Sequence, residues 1–369
     1  MASGKPAREN LYKQLEKITH VEYNQSLSKY TTIGIGGPAE AFVTVKTRDD
    51  FINVINTAKK TDVPIFILGL GANVIVSDLG FEGLVIKNEY KDLEILGTKL
   101  DKNEDLEYEK LVHNIRHEDL RLSKSHEGTD VKYLNFTNLD YDDITKETTE
   151  IVVGSGYVMQ QLISETLNHG LTGLQWFSGI PATLGGAVYN NIHGGNRQID
   201  NFFVSAEVII NGKTSTLELK DMKFDYDYSV LHETNYPVVS VKLRLFHHDV
   251  QKARETSIAW VRQKVVQPKK SPGCFLRNFT EEEVKKYNLP SNSASYVLDR
   301  VLNVHGMAVN DAMIAPSHAN FITNKGNATA KDVVLLINQI KEKAKKQIGI
   351  DLREEFFYIG NFNYVNEKS

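Results

Sequence analysis

The 369-residue chain is 41% hydrophobic and 24% charged, with a formal net charge of −4. That length suits about two or three domains with ample core, and the acidic balance excludes a general nucleic-acid binder, because phosphate affinity needs clustered Lys and Arg. Cys274 is the only cysteine, which excludes an intrachain disulfide and a thiolate zinc site, and no metal is expected.

In chain order, the N-terminal stretch MASGKPARENLYKQLEK reads as a polar arm over residues 1–22. It lacks the apolar core of a signal peptide, and no apolar run is long enough to cross a bilayer, so a cytosolic protein without membrane contact is expected. Ala39 to Lys46 alternates apolar and polar residues, as a half-buried strand does. Thr47 caps a helix, with Asp50 at its third position and Phe51, Ile52, Ile55 and Ala58 on one face. Pro64 to Leu68 is a continuous apolar run that fits a buried strand. A Gly-rich turn comes next, with further strand at Val74–Val76 and Leu84–Ile86. From about Gly97 to Glu150 the chain turns rich in Asp, Glu, Lys and Asn, the character of a solvated, partly helical insertion, and it ends where TEIVVGSGY (Thr149–Tyr157) resumes strand-like sequence. Val158–Leu167 predicts a helix, Gly170–Gly195 a long loop, and Ser205–Ile210 and Val238–Leu245 strands. The last quarter opens with a helix leading to Arg262 and closes with a well-marked one. There Thr329 and Asp332 form a capping box, Val333, Leu336, Ile337, Ile340, Ala344 and Ile348 an apolar stripe, and Gly349 the stop. The architecture is α+β without internal repeats, divided at 1–22, 23–247 and 248–369.

Two glycine-rich loops carry the chemistry. Gly69-Leu70-Gly71-Ala72-Asn73 comes after a strand, but the third glycine of a dinucleotide fingerprint is missing and the next residues, Val74 to Val76, are strand-like. A Rossmann site needs a helix N-terminus for the pyrophosphate, so that reading is rejected. A strand–GxG–strand turn still presents backbone N–H groups to an anion, although most such turns are only turns. The second loop, Ser178 to Ala187, combines Pro181 with Gly185 and Gly186, letting backbone approach a ligand closely; its bland alternative is a structural crossover.

Taken together, KYTTIGIGGPAE (Lys29–Glu40), ILGLGANVIVSD (Ile67–Asp78), GLQWFSGIPATLGGAVYNN (Gly173–Asn191), RQKVVQPKKSPGCFLRN (Arg262–Asn278), PSHANFITNKGNATAKDVVLLI (Pro316–Ile337) and LREEFFYIGNF (Leu352–Phe362) resemble, in order and content, the UDP-N-acetylenolpyruvoylglucosamine reductases of peptidoglycan biosynthesis. The resemblance implies an FAD-binding module of the vanillyl-alcohol-oxidase (PCMH) type and a smaller C-terminal substrate domain. It implies FAD as cofactor, NADPH as reductant, a UDP-sugar enolpyruvyl ether as substrate, and a monomer. Gly69, Leu70, Gly71, Ala72, Asn73, Ile180, Pro181, Gly185, Gly186 and Asn191 become the expected cofactor contacts.

Residue roles carry over motif by motif. In the family's G-S-x-F-K-N motif the serine donates a proton. Here the motif reads Gly273-Cys274-Phe275-Leu276-Arg277-Asn278, so the resemblance gives Cys274 that role, and a thiol donates more readily than an alcohol. Glu355, five residues before Gly360, matches the family's glutamate. Asn278 matches its asparagine, and Tyr226 its Y-R-x-S tyrosine. The basic cluster Arg262, Lys264, Lys269, Lys270 and Arg277 offers phosphate partners, with Arg262 and Arg277 taken as substrate contacts. One role fails: the family's arginine, which meets the substrate carboxylate, is Asp227 here, leaving Arg277 or Arg197 as replacements. His193 is a further donor in the second loop region. Another FAD-dependent oxidoreductase acting on a sugar or lactone, and a flavin-binding homologue without activity, remain open alternatives.

Overall fold

The structure, a computed structural model, describes residues 5–100, 141–195, 197–265 and 267–365. A first sheet has the order β1-β2-β5-β3, built from β1 (Val21–Ser26), β2 (Pro38–Val45), β3 (Ile65–Leu68) and β5 (Phe81–Asn88). Its β1–β2 pair is antiparallel, while β2, β5 and β3 run parallel. Between β3 and β5 the short strand β4 (Val74–Val76) leaves this sheet and pairs elsewhere. Two helices cover one face. The N-terminal arm forms α1 (Lys5–Leu15), whose Leu11, Tyr12 and Leu15 join a core with α2 (Arg48–Ala58). Thr47 caps α2 through Oγ1, which accepts Asp50 N–H at 3.1 Å. Phe51, Val54, Ile55 and Ala58 are buried, and Ile52 packs half-buried against the same core.

The second sheet is wholly antiparallel, in the order β11-β10-β12-β7-β6. It contains β6 (Leu93–Leu100), β7 (Glu147–Gly154), β10 (Phe203–Ile210), β11 (Lys213–Glu218) and β12 (Val238–Phe246). The β6–β7 pairing runs from Leu93↔Val153 to Leu100↔Glu147. The insertion expected over 97–150 is therefore narrower: both its ends are strand, because the β-branched Thr148, Thr149, Ile151 and Val152 fit a pleated surface despite their charged neighbours. Its middle, 101–140, lies outside the described residues. Helix α3 (Met159–Asn168) buries Met159, Leu162, Ile163 and Leu167 against this sheet's core. The predicted Gly170–Gly195 loop is more ordered than expected. It contains a 3-10 turn at Leu174–Phe177, the short helix α4 (Leu184–Tyr189) and β8 (His193–Gly194), which pairs with β9 (Arg197–Gln198). Helix α5 (Val250–Val265) packs on the Leu174–Phe177 turn and so belongs by contact to this middle layer.

The C-terminal part joins a small sheet, β13 (Ala308–Val309), β14 (Ala312–Ile314) and β15 (Ile322–Asn324), to α6 (Ala330–Ile348). The Thr329/Asp332 capping box and the left-handed Gly349 stop are both present. Ile33, Ile35 and Ile75 from the first module enter this core. The last strand, β16 (Phe357–Ile359), pairs in parallel with β4. Asp78, just after β4, accepts the Ala330 and Lys331 N–H groups at 2.7 and 3.0 Å, holding the start of α6. These links position the C-terminal part over the Gly69–Asn73 turn. The expected α+β architecture is borne out. Among the described residues, no helix is long and apolar enough to cross a membrane.

Candidate active site

One cleft of about 1210 Å³ runs between the two glycine loops and the C-terminal part. A pocket for a single drug-sized ligand has about 300–1,000 Å³, so this space suits a dinucleotide with a second ligand. Its walls explain why Ile65, Phe66 and Ile67 of β3 are only half-buried. The continuous apolar run faces a ligand space, not a second protein layer.

The glycine loops touch each other. A Cβ built on Gly69 would lie 2.7 Å from Thr183 Oγ1 of the second loop. Gly71 has φ +61°, and a Cβ there would lie 2.0 Å from the Tyr30 carbonyl oxygen, backbone that cannot swing aside. Thr32 N–H donates to the Gly71 carbonyl at 3.1 Å, locking the turn. β3–turn–β4 has no helix behind it, as the rejection of a Rossmann site requires. Gly69 through Asn73, Ile180, Pro181, Gly185 and Gly186 line the cleft. Asn191 does not. Its fully buried side chain donates to Asp200 Oδ2 at 3.2 Å and to the Asp225 carbonyl at 3.0 Å, so it ties the loop together from behind.

Cys274 and Glu355 come together through backbone. Phe275 N–H donates to the Asn320 carbonyl and Glu355 N–H to the Phe275 carbonyl, each at 3.0 Å. Leu276 and Glu354 form an antiparallel bridge, and Asn320 brackets Leu276 through both ends of its amide. Phe357 N–H then donates to the Asn73 carbonyl at 3.0 Å, and Thr32 Oγ1 to the Ser271 carbonyl at 2.7 Å. Both side chains line the cleft beside Lys264, His193 and Asp227.

Burial dominates the electrostatics. It pushes the Cys274 thiol up to about 12, Glu355 and Asp227 adding to the shift and Lys264 opposing it. It also pushes the Glu355 carboxyl up to about 8, Asp227 adding and His193, Arg277 and Lys264 opposing. Burial holds the Lys264 ammonium below its ordinary value. The thiol therefore keeps its proton at neutral pH, and so does the carboxyl.

Glu355 binds its proton more tightly in the fold than at its ordinary value of 4.5. The stability this contributes is complete below about 4.5 and is lost as pH rises through about 8. Glu355→Gln is expected to raise the thermal midpoint by several degrees over the parent at pH 9, with the gap closing towards pH 5. Calorimetry at both pH values checks this; an equal gap at both would contradict it.

Two of the other expected contacts adjoin residues that line the cleft, Tyr226 stacking on His193 and Arg277 opposing the Glu355 shift. Arg262, Arg277, Tyr226 and Asn278 are not among its lining residues. Asn278 Nδ2 donates to Tyr226 Oη at 3.3 Å while its Oδ1 accepts Ala294 N–H at 3.0 Å. Arg197 is sealed off: its side chain is 1% exposed and pairs with Asp143 at 3.0 Å and Asp142 at 3.4 Å. It is not the replacement for the missing arginine. Lys264, Lys269 and Lys270 of the basic cluster do line the cleft.

An FAD binding domain profile matches residues 121–219, and residues 266–359 match the UDP-N-acetylenolpyruvoylglucosamine reductase, C-terminal domain. With the cleft and its crowded glycine turns, these matches define an FAD-binding flavoprotein. The chain is 30% identical over 335 residues to the UDP-N-acetylenolpyruvoylglucosamine reductase of Moorella thermoacetica, covering 90% of this chain and 91% of that one. It therefore belongs to the UDP-N-acetylenolpyruvoylglucosamine reductase family. The reductase of the same name from Bacillus velezensis is 29% identical over 362 residues, 95% of this chain and 99% of that one. The crystal structure of the Thermus caldophilus reductase superposes with a TM-score of 0.64 at 26% identity, covering 92% of this chain and 99% of that chain. The resemblance read from six segments is borne out.

Proposed function

We propose that this protein is an NADPH-dependent flavoenzyme that reduces UDP-N-acetylglucosamine enolpyruvate to UDP-N-acetylmuramate, acting as a cytosolic monomer in peptidoglycan synthesis and hence in cell division. One observation carries the reading: Cys274 and Glu355 line the same cleft as both glycine loops. The residues present fit FAD, since the glycine turn at Gly69–Asn73 and the second loop pack closely on each other and both line the one cleft. Gly69–Asn73 and Ile180–Gly186 would hold it, and when bound it supplies the hydride chemistry.

The chain's own groups handle charge and the proton. Cys274 holds a proton on Sγ and gives it to the substrate carbon that bears the carboxylate. Lys264 beside it favours the thiolate left behind. Glu355, neutral below about 8, meets the developing enolate without adding negative charge. Lys264, Lys269 and Lys270 offer charge to nucleotide phosphates.

The test uses the purified flavin-loaded protein without oxygen. NADPH is expected to bleach it, and UDP-N-acetylglucosamine enolpyruvate to restore the yellow colour. Restoration by oxygen alone would move the protein to another oxidoreductase class, and absence of bleaching would remove redox activity.

A further inference from the structure

Where the reductase family carries its carboxylate-binding arginine, this chain has Asp227, and the structure shows what that aspartate does. It sits in a two-residue turn closed by reciprocal Asp225–Tyr228 backbone hydrogen bonds at 3.1 and 3.2 Å. Its φ is +50°, a left-handed conformation that aspartate tolerates better than most residues. Asp227 is 8% exposed, and one carboxylate oxygen, Oδ2, is buried without a hydrogen-bond partner. The other, Oδ1, lies 3.2 Å from His193 Nδ1. A buried carboxylate with half its acceptor capacity unmet needs a cation beside it, and His193 is the group in reach.

Two contacts fix the His193 ring. Nδ1 is tied to Asp227, and one face stacks on Tyr226 with centroids 5.2 Å apart and planes 26° from parallel. Tyr226 is in turn held by Asn278. Nε2 is left with no hydrogen-bond partner among the described residues, on a half-exposed ring that lines the cleft with Cys274 and Glu355. An imidazolium so held presents one N–H donor and a positive charge beside the proton donor.

Resting on the reductase reading above, we propose that His193 binds the substrate carboxylate in place of the missing arginine, with Asp227 as its positioning residue. Asp227 accepts the Nδ1 proton, keeps the ring cationic and leaves the Nε2–H to the ligand. The charged groups around the ring are Asp227, Glu355 and Lys264. Burial favours the neutral ring, and the bond to Asp227 outweighs it, so the imidazolium persists above its ordinary range. Carboxylate binding is therefore lost as pH rises through the His193 value, which lies above the ordinary imidazole range.

Calorimetry on the flavin-loaded protein, comparing UDP-N-acetylglucosamine enolpyruvate with UDP-N-acetylglucosamine, isolates the carboxylate. His193→Gln is expected to weaken the enolpyruvyl ligand by about 10- to 100-fold and the plain sugar nucleotide by less than about twofold. Retained flavin absorbance shows the variant is folded. Asp227→Asn is expected to move the alkaline loss of enolpyruvyl binding to lower pH. Measuring it in a Glu355→Gln background removes that carboxyl's own titration. His193→Arg is expected to recover most of the affinity. Equal weakening of both ligands by His193→Gln, or selective loss in Arg277→Gln or Lys264→Met instead, overturns the assignment. A parent protein that binds neither ligand overturns the reductase reading itself, and this inference with it.

Discussion

Cys274→Ala is expected to bleach with NADPH as fast as the parent and to reoxidise with the enolpyruvyl sugar nucleotide about 10²–10⁴-fold more slowly. The asymmetry comes from where the thiol stands. It lines the cleft next to Glu355 and Lys264, and the backbone of the adjoining Phe275 is fixed by bonds to residues 320 and 355, so removing Sγ leaves the surrounding frame intact. In the proposed function its role is confined to supplying a proton after hydride transfer. Burial pushes the thiol up to about 12, so the proton is present throughout the neutral range. Cys274→Ser is expected to restore much of the lost rate, because a hydroxyl occupies the same rotamers and also carries a proton. Anaerobic stopped-flow absorbance separates the two half-reactions. Equal reoxidation rates for parent and Cys274→Ala would remove Cys274 from the chemistry.

Gly71→Ala is expected to yield a colourless protein, with FAD affinity reduced by at least about 100-fold. A left-handed residue with a Cβ costs about 1–2 kcal/mol, and this Cβ would lie 2.0 Å from the Tyr30 carbonyl oxygen. The neighbour is backbone, itself part of a segment tied to the turn by the Thr32 N–H to Gly71 bond. Relief therefore needs the whole Gly69–Asn73 turn to move away from the Tyr30–Thr31 backbone. That movement disturbs the close Gly69–Thr183 packing between the two loops that line the cleft. Flavin fluorescence titration of the apoprotein measures the loss. By contrast, Gly170→Ala, where a Cβ meets nothing within 4 Å but φ is +79°, is expected to cost stability and leave flavin affinity unchanged.

Much of this arrangement was legible in the residues. The α2 and α6 caps and the strands on either side of the GxG turn arise from local patterns whose physics is short-range, while Cys274 and Glu355 were picked out only by resemblance to the family's motifs. Other features were not. Glu147 and Thr148 looked like the edge of a charged insertion, with strand-like sequence resuming only at Thr149; the partner strand extends the sheet back to Glu147. Asn191 sits at the end of a matching motif, yet its amide is consumed by Asp200 and Asp225, a tertiary pairing that spacing cannot disclose. Arg197 looked like a free cation, but the carboxylates that neutralise it lie more than fifty positions upstream. The His193–Asp227 couple joins two loops distant in sequence. A histidine in the second glycine loop region and an aspartate in the arginine's place were both visible as oddities, and their relation needed coordinates.

The parallel pairing of β16 with β4 has a consequence for how the protein is made. The strand that carries Glu355 to the cleft is also the one that docks beside the GxG turn, so a growing chain can assemble its first two sheets long before it owns a finished catalytic pocket. Until residues 357–359 have left the ribosome, β4 has an open edge and the glycine cradle lacks its roof. The pocket is thus completed only when β16 docks, and a fragment that stops before residue 355 would carry the glycine loops without Glu355 or the strand that pairs with β4.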